Sequence, residues 1–159
     1  MSIIDKARSF MGGHGVTVRH VSLEGKPPAD LSLALSDGGV RGQFAVVSDK
    51  PCTILGRRTE MVMELRHADG RTEQVVLGRE VAPQPDVERT APVKYPYELA
   101  AGFEVLDELD VVFDGSIEAL LAQRRLVPGR EIRFFLRTLV DVKGSPFDPE
   151  AVDELPLGP

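Results

Sequence analysis

Cysteine is nearly absent from this chain. Cys52 is the only one in 159 residues, so no internal disulfide can form, a pattern that suits a reducing cytosol. Tryptophan is missing altogether, and histidine occurs three times. His14, His20 and His67 lie far apart, and neither His-Glu-x-x-His nor paired Cys-x-x-Cys spacing pre-arranges zinc ligands. No Gly-x-Ser-x-Gly elbow presents a nucleophilic serine, and Gly12-Gly13-His14-Gly15 lacks the lysine and serine of a phosphate-cradling loop. These gaps lead us to expect no enzyme and no cofactor. No run approaches the roughly 18 apolar residues of a membrane helix, and Met1 to Lys6 lacks the basic and apolar regions of a secretory leader. The expectation is a cytoplasmic protein without integral membrane association. Basic residues number 19 against 25 acidic ones, a net charge of −6 that repels nucleic acid.

What is present is globular: 42% of residues are hydrophobic and 28% charged. A chain of this length fits one core. Residues 1–11 read as an amphipathic helix, with Ser2 as cap and Ile3, Ala7 and Phe10 at helical spacing. From Val16 the period changes to two, through Val16 and Val18 and then Leu31, Leu33 and Leu35. Val40 to Ser48 forms a further strand. Thr59 to Leu77 predicts a hairpin, with Met61, Met63 and Leu65 inward and Asp69-Gly70 at the turn. Ala82 to Pro92 is proline-rich and suits a surface crossing. Val93, Tyr95, Tyr97 and Leu99 alternate, while Pro96 confines that segment to an edge. Val105 to Phe113 fits strand or loop. Residues 116–126 suit a short helix capped by Ser116, and Glu131 to Val142 suits a long central strand.

The resulting fold class is all-β, an antiparallel two-sheet β-sandwich, with a closed barrel as the rival. Its domain occupies 12–144, after the helix at 1–11 and before an extended, proline-rich acidic tail at 145–159.

Several motifs, taken in order, carry a family resemblance. The helix-then-glycine opening leads to Val16-Thr17-Val18, Gly39-Val40-Arg41-Gly42-Gln43-Phe44 holds a Val-x-Gly core, and Tyr95-Pro96-Tyr97-Glu98-Leu99 is a short aromatic strand. Phe134 to Gly144 follows, with Asp148-Pro149 after it. This order resembles the bacterial sporulation-control family of arrestin-like proteins. The resemblance implies an arrestin- or immunoglobulin-like sandwich of one lobe, with a role in regulatory protein contacts and no chemistry.

Three groups of residues are site candidates. Asp107, Asp110 and Asp114 form an acidic run whose oxygens suit calcium, although its spacing matches no EF-hand. Arg57, Arg58, Arg133 and Arg137 suit bidentate grip of a carboxylate or phosphopeptide, and Ile3 and Phe10 offer apolar contact to a partner. The leading expectation is a non-enzymatic adaptor that binds protein partners, or a second copy of itself, through a sheet edge or face. The alternative is a small-molecule- or metal-dependent module assembled from distant residues, with Glu60, Glu64, Arg66 and His67 as first suspects.

Overall fold

A computed structural model describes residues 15–21, 39–83, 93–112 and 132–155. The helix at 1–11 with Ile3 and Phe10, the Leu31 to Leu35 strand, most of the crossing to Pro92 and the 116–126 helix with Asp114 lie outside the described residues. Within them run eight strands: β1 (Val16–Val21), β2 (Gly39–Ser48), β3 (Cys52–Arg66), β4 (Thr72–Ala82), β5 (Tyr97–Leu99), β6 (Glu104–Val112), β7 (Ile132–Val142) and β8 (Glu150–Leu155).

They form two antiparallel sheets. One has three strands in the order β1-β2-β6; the other has five, ordered β4-β3-β7-β8 with β5 beside the start of β3. Inward residues arrive at every second position, so Val16 and Val18 of β1, Phe44 and Val46 of β2, and Ile132, Phe134, Leu136 and Val140 of β7 are all buried between the sheets. Each such large apolar side chain contributes about 1.5–3 kcal/mol by leaving water.

The predicted hairpin is present: Gly70, at φ 86, closes the β3–β4 turn, where its N–H donates to the His67 carbonyl at 3.0 Å. β3 starts earlier than expected. The pairing of β3 with β7 slips between Ile54 and Gly56, which puts Ile54 and Arg57, three residues apart, both among the buried side chains. That slip erases the two-residue rhythm on which a sequence reading relies.

Val105 to Val112 resolves as strand within β6, paired with β2 over nine positions from Val47↔Glu104 to Gly39↔Val112. The tail also differs from the extended surface run expected of it. Residues 150–155 pair with β7 as a sheet edge and bury Ala151 and Leu155. Lateral contacts bring the two sheets together along both flanks: β1 approaches β8, and β4 approaches β6. At the second flank a Cβ on Gly78 would lie 2.4 Å from the Val112 carbonyl oxygen, so only glycine allows the two backbones to come so close.

Candidate functional site: a buried polar chain

Polar residues occupy inward positions on strands of both sheets, where unpaired they would each cost several kcal/mol. His20, 1% exposed, follows Val16 and Val18 on the inner face of β1. Thr59 of β3 and Thr138 of β7, each 0% exposed, stand opposite each other in the ladder. Arg57 lies two residues before Thr59 on the same face, and Asp107 of β6, 1% exposed, meets it from the other sheet.

These groups form one continuous chain. His20 Nδ1 is 2.7 Å from Asp153 Oδ2 of β8, and its Nε2 is 2.8 Å from Thr138 Oγ1. Thr138 Oγ1 lies 3.0 Å from Thr59 Oγ1, to which Arg57 Nη1 donates at 3.3 Å. The guanidinium also pairs with Glu80 of β4, donates from Nη2 to the Glu108 carbonyl at 2.9 Å, and holds Nε 3.5 Å from Asp107 Oδ2. Asp107 in turn accepts from the Tyr95 hydroxyl at 2.7 Å and from the Glu108 N–H at 2.9 Å. The guanidinium stacks 5.3 Å from the Phe44 ring centroid, a cation–π contact inside the sandwich.

More than one arrangement of protons satisfies the run from Arg57 to Asp153. In one such arrangement Arg57 donates to Thr59, Thr59 to Thr138, Thr138 to His20 Nε2, and His20 Nδ1–H to Asp153; the two bonds of Thr138 reverse when the ring carries a proton on Nε2. The chain joins the two sheets twice, once through His20 and once through Arg57. Burial also marks Tyr95: desolvation first, then its bond to Asp107, raises the phenol far above its ordinary value of 10.0. Tyr97 is raised likewise, chiefly by burial and secondarily by the Asp107 charge.

Asp153, His20 and Thr138 repeat the bond pattern of a carboxylate–histidine–hydroxyl triad. Thr138 nevertheless has no exposed surface, so no carbonyl of a substrate reaches its Oγ1 in this structure.

The residues singled out from sequence are distributed as follows. Arg57 sits in the interior chain just described. Arg58, Arg133 and Arg137 project from the outer face of the large sheet, each against a carboxylate: Arg58 with Glu60 at 2.7 Å, Arg133 with Glu154 at 2.7 Å and Arg137 with Glu150 at 3.0 Å. The four arginines therefore do not converge. Strand alternation sends Asp107 inward and Asp110 outward, the latter 3.9 Å from Arg41, so those two carboxylates do not share a face. Among the described residues no group of three or more His, Cys, Asp or Glu is placed to hold a metal ion. Glu60 and Glu64, four residues apart on one strand, are separated by about 13 Å. His67 stands at the hairpin turn, 3.1 Å from Glu73. His20, Thr59, Thr138 and Asp153 are absent from the sequence-based candidates. A polar residue at buried parity on each of three strands was the available signal.

The chain superimposes on the crystal structure of Spo0M, sporulation control protein, from Bacillus subtilis, with a TM-score of 0.61 and 11% identity, over 91% of this chain and 50% of that one. It spans half the length of that protein. The fold is thus the arrestin-like sandwich that the strand rhythm and the motif order pointed to. Pseudomonas fluorescens alkylpurine DNA glycosylase AlkC, bound to DNA containing an abasic site analog, aligns at a TM-score of only 0.35 with 15% identity, over 95% of this chain and 33% of that one, and carries no argument. No protein-family model and no curated protein matches the sequence.

Proposed function

We propose that this chain is a non-enzymatic regulatory adaptor of the sporulation-control type, which binds an extended segment of a protein partner along the edge of β4 from Thr72 to Leu77. The carrying observation is the state of the edges. β6 is closed off on its outer side, since the Glu80 carboxylate of β4 accepts the Asp110 N–H at 3.3 Å and Gly78 brings the β4 backbone against Val112. β8 is only six residues long. β4 runs for eleven residues and pairs with β3 along one side; Gly78 to Glu80 lie against β6, while among the described residues Thr72 to Leu77 pair with no strand along the other side.

An added strand takes its affinity from main-chain hydrogen bonds and its selectivity from alternate side chains. On this stretch of β4 those side chains are Gln74 and Val76, with Val76 45% exposed. The buried polar chain supports the reading by holding the two sheets in register beneath the edge, so that the edge is presented as a rigid template.

Photo-crosslinking in the native cell tests the proposal. A benzoylphenylalanine at position 74 or 76 captures a partner that the same group at Arg41, on the other sheet, does not. Equal capture from both sheets, or none from β4, overturns the assignment.

A further inference from the structure

A cleft of about 500 Å³ opens on the outer face of the large sheet, beside the point where β3 slips in register. Its floor is bare backbone at Gly56, where a Cβ would come within 2.6 Å of the Ala82 carbonyl oxygen. Leu55, Val81 and Leu139 supply apolar lining. The charges divide between two walls. Arg58 and Arg79 stand on one side and share a single carboxylate, Glu60, at 2.7 and 3.2 Å; Glu60 is 5% exposed while the arginine side chains are 43% and 51% exposed. Two guanidinium charges set against one carboxylate leave that wall positive, with N–H groups still free to donate. The acidic wall is supplied by Asp141 of β7 and Asp148 of the turn after it, beside the basic side chains of β3 and β4, and among the described residues neither is in an ion pair. Burial, and then the Asp141 charge, push the Asp148 carboxyl above its ordinary range, with Arg58 acting weakly in the other direction.

A concave site of a few hundred cubic ångströms with apolar lining and a few convergent polar groups is the common form of a small-molecule pocket. Here the polar groups are of opposite sign and sit on neighbouring strands, the arginines on β4 and β3 and the acids on β7 and the turn after it. From that we infer that the cleft binds a small aliphatic zwitterion, an amino acid or short peptide, whose ammonium meets Asp141 and Asp148 and whose carboxylate meets Arg58 and Arg79. The requirement for both charges follows from the wall charges, and the preference for an aliphatic side chain from Leu55, Val81 and Leu139. The cleft takes Arg79 and Val81 from the end of β4 beyond the Thr72 to Leu77 stretch, and it stands or falls independently of a strand added there.

Titration of the full chain, followed by amide NMR shifts, tests this with four probes: L-leucine, L-leucyl-L-leucine, N-acetyl-L-leucine and L-leucinamide. The expected result is saturating shifts at Gly56 and Leu139 to Asp141 with at least one of the two zwitterions. Saturation by leucine identifies a free amino acid as the source, and saturation by the dipeptide alone identifies a peptide. Each capped form, missing one charge, binds about ten- to hundred-fold more weakly, the loss of a charge-assisted hydrogen bond. D148N and R79Q, both at exposed positions, weaken binding to the same degree, and D141N provides a second acidic variant should D148N disturb its turn. No saturation by either zwitterion at tens of millimolar, equal binding of a capped form, or unchanged binding by the charge variants overturns the inference.

Discussion

Replacing Arg57 with methionine removes the charge at the centre of the polar chain while keeping most of the side chain's stem. The Arg57 side chain is 0% exposed and answers two carboxylates, Asp107 and Glu80, besides donating to Thr59 and to the Glu108 carbonyl. After the substitution Asp107 still accepts from Tyr95 and from the Glu108 N–H, yet in the interior it loses the guanidinium that stands 3.5 Å from it. Removing one partner of a buried pair costs about 3–5 kcal/mol, much of it from the stranded charge rather than from the lost attraction. For a domain of this size that corresponds to a fall of roughly 6–20 °C in melting temperature. Urea unfolding followed by circular dichroism measures the loss, and R57M/D107N separates its origins. Neutralising Asp107 removes the charge that has lost Arg57, so the double variant is more stable than R57M alone. A loss below about 1 kcal/mol for R57M, or a double variant whose cost is the plain sum of the two singles, refutes the coupling on which this reasoning rests.

Three further outcomes follow from the same geometry. H20F leaves Asp153 and Thr138 without the ring nitrogens and costs about 2–4 kcal/mol in chemical unfolding, while T138V in the H20F background costs less than T138V alone because both act in one chain. Tyr95 and Tyr97, the only two tyrosines, give no tyrosinate absorbance as the pH passes about 10, where an unfolded phenol ionises. Because both folded phenols are raised above the unfolded value, the stability they contribute is complete below that pH and lost above it, and tyrosinate absorbance appears together with unfolding. G78A places a Cβ against the Val112 carbonyl, forces β4 away from β6 and lowers stability by about 1–3 kcal/mol, measured by thermal melting.

The two-residue alternation of Val16 and Val18, of Met61, Met63 and Leu65, and of Ile132 to Leu136 made the strands legible, because one buried face forces that rhythm on any half-buried strand. Asp69-Gly70 marked the hairpin for an equally local reason, the positive φ that glycine tolerates. The first part of β3 was hidden by the slip after Ile54. Residues 150–155 were read as tail because the prolines and acids around them outweighed a strand signal of only two inward residues, Ala151 and Leu155. Arg57 and Asp107 were singled out for other reasons, as an anion grip and as a calcium ligand, and the structure pairs them with each other.

Sequence by itself determined the class of this protein: its apolar periodicity demands stacked sheets, and its single cysteine and missing motifs narrow the chemistry open to it. Only tertiary structure decided which polar residues meet. His20 and Asp153 are separated by 133 positions, Thr59 and Thr138 by 79, and Arg57 and Glu108 by 51. Periodicity tells which face of its own strand a residue occupies. It does not tell which strand of the opposite sheet lies across from that face, because that depends on strand order and on register, which arise only when both sheets bury their surfaces together.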